Sequence, residues 1–210
     1  MSKTFTIHTD LSYAMEIVAP MACFSRVDSC GIAPVSYEVP TPTAARAIFD
    51  SIVGVHFKAG RCMTPVKLEV CNPIRMESYA TNYRGPLRKS SQKASGSSLQ
   101  YKAKVLVNQR WILHASPLTL SGSRHDAVAI GSMFSRYIKK GKCLRVPCCG
   151  WSEFIPDYFG EVRDDAKADK SINISIGNFL WKMFDAPMNG NERVVTKDVE
   201  VVEGVLSYVD

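Results

Sequence analysis

The sequence lacks a CxxC pair, a neighbouring cysteine and histidine quartet and any apolar run near the ~20 residues of a membrane span, and it has only four histidines. Each absence removes a class of function. The seven cysteines, Cys23, Cys30, Cys62, Cys71, Cys143, Cys148 and Cys149, are an odd number without metal-ligand spacing, so neither a zinc centre nor a disulfide framework is expected. They read as small apolar residues in a reducing compartment, and no metal or other cofactor is expected. Met1 to Asp10 carries charge and hydroxyls where a signal peptide needs an apolar core, so the chain is expected in the cytoplasm with no membrane contact. No GxxxxGK[ST], GxGxxG or HExxH pattern occurs, so nucleotide hydrolysis, dinucleotide redox chemistry and zinc proteolysis have no footing.

What is present is a chain of 210 residues, 46% hydrophobic and 22% charged, values ordinary for a globular protein. Its positive charge is concentrated in the middle. Residues 54–149 hold 17 Lys and Arg against three acids, Glu69, Glu77 and Asp126, whereas residues 150–210 hold six against twelve and residues 1–53 three against five. Such asymmetry attracts polyanions, because each cation that neutralises a phosphate releases condensed counterions. An ordinary solvated basic face is the plainer alternative.

The element pattern is α+β. Met15 to Phe24 reads as a strand, with a proline marking an edge or bulge. Thr41 caps a helix that starts at Pro42, buries Ala45, Ile48, Phe49, Ile52 and Val53, and ends at Gly54. Pro65 to Pro73 alternates Val66, Leu68 and Val70 against Lys67, Glu69 and Cys71, as a half-buried strand does. Thr81 to Lys104 then carries Arg84, Arg88, Lys89, Lys93, Lys102 and Lys104 with serine and glycine and no acid, which predicts a mobile basic projection. Tyr101 to Ala115 returns to strand character. Val128, Ile130, Met133, Phe134, Tyr137 and Ile138 recur at helical spacing up to Lys139, Lys140 and Gly141. Cys143 to Cys149 is a short apolar run whose Pro147 predicts an edge strand or a turn.

The resulting order, strand, helix, strand, strand, helix, strand, is the βαββαβ arrangement of ferredoxin-like and RRM-like domains. Residues 1–150 are expected to form that domain, including the projection at 81–104. Residues 151–210 are expected to form a small β-rich extension with strands at 172–176, 192–196 and 199–202. A sheet covered by helices on one face leaves the other free, and RRM modules stack bases there. Tyr37, Tyr79, Tyr83, Tyr101 and Trp151 lie near cations and are candidates to stack, although aromatics in a sheet protein are also core residues. Lys139, Lys140, Lys142 and Arg145 close the second helix as a further basic cluster, for which helix capping is the alternative role. Metal-free RNA cleavage needs a general base near the 2′-hydroxyl and a cation for the developing charge. Of the histidines, His125, with Arg124 at the start of the second helix, suits that best; His8, His56 and His114 stand elsewhere.

The run from Val35 to Ile52, VSYEVPTPTAARAIFDSI, then Cys71 to Ser78, CNPIRMES, then Lys139 to Cys143 and Gly150 to Phe154, GWSEF, resembles the fifth CRISPR-associated (Cas) protein family, especially its type I-C branch. The resemblance covers roughly residues 14–160. It implies a subunit of a Cascade-type surveillance complex that holds the 5′ handle of the CRISPR RNA (crRNA), beside backbone subunits of the Cas seven family and a large subunit of the Cas eight type. Target DNA is met through the complex. It also implies an RRM-like body with a protruding thumb hairpin at 81–104. On this reading RNA is held by Tyr37, Arg46, Arg75, Arg84, Arg88, Lys89, Lys93, Lys139, Lys140, Lys142 and Arg145. In the type I-C branch the subunit also cuts precursor RNA, with a tyrosine after the first helix's apolar run and a Lys-His or Lys-Tyr pair early in the second. Those positions fall here on Val53 and on Ala129 and Ile130, so the resemblance implies an RNA-capping subunit first and a metal-independent endoribonuclease second. A basic scaffold that touches only proteins is a third possibility.

Overall fold

The computed structural model describes residues 5–29, 33–54, 61–82, 100–120, 122–183 and 194–209. In chain order these form β1 (Thr6–Ile7), β2 (Tyr13–Ala22), α1 (Pro42–Val53), β3 (Arg61–Val70), β4 (Met76–Asn82), β5 (Gln100–Thr119), α2 (Arg124–Lys139), β6 (Tyr158–Gly160), β7 (Ile174–Met183), β8 (Val194–Val201) and β9 (Val205–Ser207). The architecture is mixed α+β, with a mostly antiparallel sheet and two helices.

Strand β5 is the spine. It is 20 residues long and four other strands pair with it: its first part with β4, its later part with β3 on the same edge, and β2 and β1 on the opposite edge. Asn108, at φ 52°, marks where β4 gives way to β3. The path through the main sheet is β6-β2-β5-β3-β9, with every pairing antiparallel.

Helix α1 follows the sequence signals. The Thr41 hydroxyl accepts from the Ala44 amide at 3.2 Å, Pro42 fills a first-turn position that lacks an intrahelical donor partner, and Gly54 closes the helix at φ 79°. Its buried stripe is the expected one, Ala45, Ile48, Phe49, Ile52 and Val53. Helix α2 begins at the Ser123 cap and buries Ala127, Ile130, Gly131, Phe134 and Ile138. Val128, expected in that stripe, is exposed instead. Both helices cover the sheet face that carries Met15, Ile17, Leu68, Trp111 and Leu113, with Phe49 against Phe134 at 5.4 Å between ring centroids.

Several sequence expectations change. Cys143 to Cys149 is not a strand: the Leu144 and Arg145 amides donate to the Ser51 and Ile52 carbonyls of α1, the Cys149 amide donates to Phe154, and Pro147 has no N–H. The edge strand beside β2 is β6, with Ile17 opposite Phe159. In β3 the bulge between Pro65 and Lys67 leaves Val66 only partly buried, while Leu68 and Val70 are in the core as expected. Further on, β7 runs to Met183 where a shorter strand was expected, β8 passes through residues 196–199 without a break, and β9 joins the main sheet beside β3. The β7–β8 ribbon is tied to the body where the Tyr37 hydroxyl donates to the Asn178 carbonyl at 2.6 Å and Arg26 to the Gly177 carbonyl at 3.1 Å. No described helix is long and apolar enough to cross a membrane.

Candidate nucleic-acid interface

The cations of the described chain sort into those engaged by carboxylates and those left to solvent. On the sheet face away from the helices, Glu16 is fully buried and accepts from Arg110 Nε at 2.8 Å, from the Arg163 amide at 2.9 Å and from the Arg163 guanidinium. Arg110 also makes a forked pair with Asp165, both bonds at 2.8 Å. Burial pushes the Glu16 carboxyl up, and the bonds from Arg163 and Arg110 outweigh it, so the group lies below its ordinary value. Hydrogen bonding from Arg110 brings Asp165 down to about 2. On the same face His114 and Lys67 both bond Glu69, at 2.9 and 2.7 Å. Burial lowers His114, which therefore stays neutral at pH 7. This face, expected to be free for base stacking, is occupied by balanced ion pairs.

Tyr37 is likewise not available. It is fully buried, its ring meets Phe179 edge-on at 5.0 Å and its hydroxyl is committed to Asn178, so it offers no face to a base. Arg46 is partly buried, paired with Asp50 at 3.8 Å and bonded to Cys62 Sγ at 3.5 Å, which spends it on the α1–β3 contact. Asp50 itself is pushed up to about 6 by burial, only partly relieved by Arg46.

Two groups of exposed cations stand out. Lys139, Lys140, Lys142 and Arg145 are all exposed and have no ion pair among the described residues. They are brought together because the loop leaving α2 hydrogen-bonds the last carbonyls of α1, at 3.1 and 2.9 Å from the Leu144 and Arg145 amides to Ser51, so the C-terminal ends of both helices converge there. Cations suit that position, since helix carbonyl ends carry partial negative charge. Arg136, one turn before Lys139, is exposed too and lies 5.9 Å from the Tyr137 ring; its spacing of three from Lys139 is the sequence signal that would have added it. Leu144 and Val146, each 59% exposed, flank Arg145 with apolar surface, in the segment expected to be an edge strand or a turn.

The second group stands on the β4–β5 hairpin. Ser78 pairs with Lys104 and Ala80 with Lys102, so these four exposed side chains share one face, and exposed Arg75 precedes β4. The other face carries Tyr79 and Tyr101, which meet Phe154 at 5.3 Å and Trp151 at 5.8 Å; Trp151 in turn stacks on Phe154 at 5.7 Å. The hairpin leads to residues 83–99, and the expected contacts Arg84, Arg88, Lys89 and Lys93, with Tyr83 and His56, lie outside the described residues.

For cleavage chemistry, His125 is exposed at the start of α2, while Arg124 beside it is bound to Asp10. Fourteen residues separate His125 from Lys139, roughly 21 Å along a helix, so the histidine and the lysine cluster do not share a site. Val53 and Ile130 are in the core. Among the described residues no group of three or more His, Cys, Asp or Glu is placed to hold a metal ion. Burial pushes the Cys71 thiol up to about 11 and the Cys149 thiol to about 12, as expected of inert packing residues.

No family model matches the chain. A CRISPR pre-crRNA endoribonuclease Cas5d from Mannheimia succiniciproducens is 31% identical over 169 residues, 72% of each protein. Among solved structures, a CRISPR-associated protein superposes with a TM-score of 0.67 at 15% identity, covering 99% of this chain and 94% of the other. A functionally uncharacterized protein from Streptococcus mutans gives 0.65 at 17% identity over 95% and 93% of the two chains. A chain of a CRISPR RNA-guided surveillance complex gives 0.53 at 9% identity over 94% and 90%. At these identities the solved structures speak for the fold alone.

Proposed function

The chain belongs to the Cas5d family of CRISPR-associated proteins, and from that premise we propose that it is the subunit that holds the 5′ handle of the crRNA in a Cascade-type surveillance complex. The observation that carries this reading is the cluster of exposed cations, Lys139, Lys140, Lys142 and Arg145, none with an ion pair among the described residues, on a surface where apolar Leu144 and Val146 are also exposed. Cations with nearby apolar surface suit a single-stranded ribose-phosphate chain, whose backbone needs charge and whose unstacked bases need contact. Arg75, Lys102 and Lys104 extend the grip toward the thumb at 81–104. The sheet order β6-β2-β5-β3 is the 4-1-3-2 order of a ferredoxin-like unit, which supports an RRM-like body whose fourth strand, Tyr158–Gly160, lies beyond the expected boundary at residue 150. Here that body uses its hairpin and helix ends because ion pairs fill its open face. The partners are the crRNA itself, a backbone subunit of the Cas seven family and a large subunit of the Cas eight type, with target DNA reached through the complex, in the cytoplasm.

The test is RNA retention by a variant with Lys139, Lys140, Lys142 and Arg145 changed to Gln. Affinity for handle RNA should fall, and the slope of log affinity against log salt should flatten by roughly 3, about 0.7 for each lost single-strand phosphate contact. Changing Lys167 and Lys170, in the acidic tail, should leave both unchanged. Equal losses from the two sets would overturn the reading.

A second reading is favoured by the relative that carries the name endoribonuclease: this chain also processes precursor RNA and stays on its product. His125 is its candidate base. Repeat RNA incubated with the protein in EDTA tests it. Cleavage lost in His125→Ala would support it, and tight binding without a cut would reject it.

A further inference from the structure

We propose that a cleft at the bend of β5 receives a lysine or arginine side chain from a protein partner, a contact separate from the RNA grip. The cleft has a volume of about 370 Å³, in the range of ligand-sized sites. Its walls are apolar: Met21 from the end of β2, Val107 at the β5 bend, and Phe154 and Ile155 from the loop after α2, with Ile155 53% exposed. Two carboxylates line the same space, Glu77 of β4 and Glu153.

The charge environment makes these acids informative. Glu77 is one of only three acids in residues 54–149, against 17 cations. The other two have evident structural uses: Glu69 holds Lys67 and His114, and Asp126 sits in the first turn of α2, where its amide meets the Ser123 cap and its charge suits the helix start. Neither Glu77 nor Glu153 has an ion pair among the described residues. Two unpaired carboxylates over an apolar floor repel a phosphate chain and attract a cation whose methylene stem can lie against Phe154 and Met21. An arginine is the better occupant, because its planar fork suits carboxylates and its stem can lie along exposed Ile155. A nucleobase would bring its own phosphates beside Glu77 and Glu153, which argues against RNA as the occupant. The partner segment is thus a protein strand or loop that presents a basic residue next to a bulky apolar one.

The experiment selects a displayed library of random heptapeptides on the full-length protein and on the Glu77→Gln/Glu153→Gln variant. Both positions are exposed and the replacements isosteric; matched thermal midpoints check folding, and Glu153→Gln alone is measured alongside. Peptides recovered on the wild type should share Arg or Lys beside an apolar residue. They should bind the double variant roughly tenfold more weakly, and Asp164→Asn, outside the cleft, as well as the wild type. Peptides without a shared cation, no loss on the double variant, or a uridine hexanucleotide that displaces the peptides and crosslinks to residues 153–155 would each overturn the proposal.

Discussion

Single carboxylates in this protein have opposite fates, and each makes a pH-dependent prediction. Glu16 is sealed between Arg110 and Arg163, so Glu16→Ala would leave two guanidiniums facing each other and should cost about 3–5 kcal/mol of stability. Its carboxyl lies below the ordinary value of 4.5 in the fold, so its contribution is fully present above that pH and is lost as the pH falls through the folded value. The stability gap between wild type and Glu16→Gln should accordingly shrink in acid; a gap unchanged down to pH 3 would contradict the assignment. Asp50 behaves the other way. Burial raises it from 3.8 to about 6, so the fold loses stability as the pH rises through that interval. Asp50→Asn should therefore match the wild type near pH 4 and exceed it by roughly 1–3 kcal/mol at pH 7, measured by urea unfolding. The role of Glu16 was not legible in the sequence, because its partners stand 94 and 147 residues away. Tyr37 was misplaced for the same reason: Asn178, which accepts its hydroxyl, is 141 residues downstream.

At the scale of elements, legibility followed local chemistry. Helix α1 was readable from end to end because a threonine cap, a proline in the first turn, an apolar stripe and a terminal glycine all agree. The segment Cys143–Cys149 was not, because an apolar run looks the same whether it pairs in a sheet or turns outward, and here Leu144 and Val146 face solvent. The true edge strand, β6, is three residues long, too short to show a period. One position in this region is constrained by backbone approach. Gly150 adopts φ 88°, and a Cβ there would stand 1.8 Å from the Cys23 carbonyl oxygen, next to the bond from the Cys23 amide to the Cys149 carbonyl. Gly150→Ala should destabilise the protein by about 1–3 kcal/mol or more, read as a lowered thermal midpoint. It should also loosen Trp151 from Ser25, its hydrogen-bond partner at 3.0 Å, visible as a shift in tryptophan emission. A wild-type midpoint in that variant would show that the loop tolerates a side chain.

The molecule as a whole divides its charge by function. Cations opposite acids build the body: Arg110 and Arg163 on Glu16, Lys67 on Glu69, Arg26 on Asp28, Arg46 on Asp50. Exposed cations without such partners gather at the converging helix ends and on the β4–β5 hairpin, while Lys167 and Lys170 stand apart among the acids of the tail. The sequence showed where positive charge is dense, but only the fold shows which of it is already neutralised. Ultraviolet crosslinking of the protein to its copurified crRNA, read by mass spectrometry of the peptides, tests this division directly. Adducts are expected within residues 136–146 and on the hairpin strands at 75–82 and 100–104. Adducts confined to the open sheet face, at 67–69, 110–114 and 158–165, would contradict it.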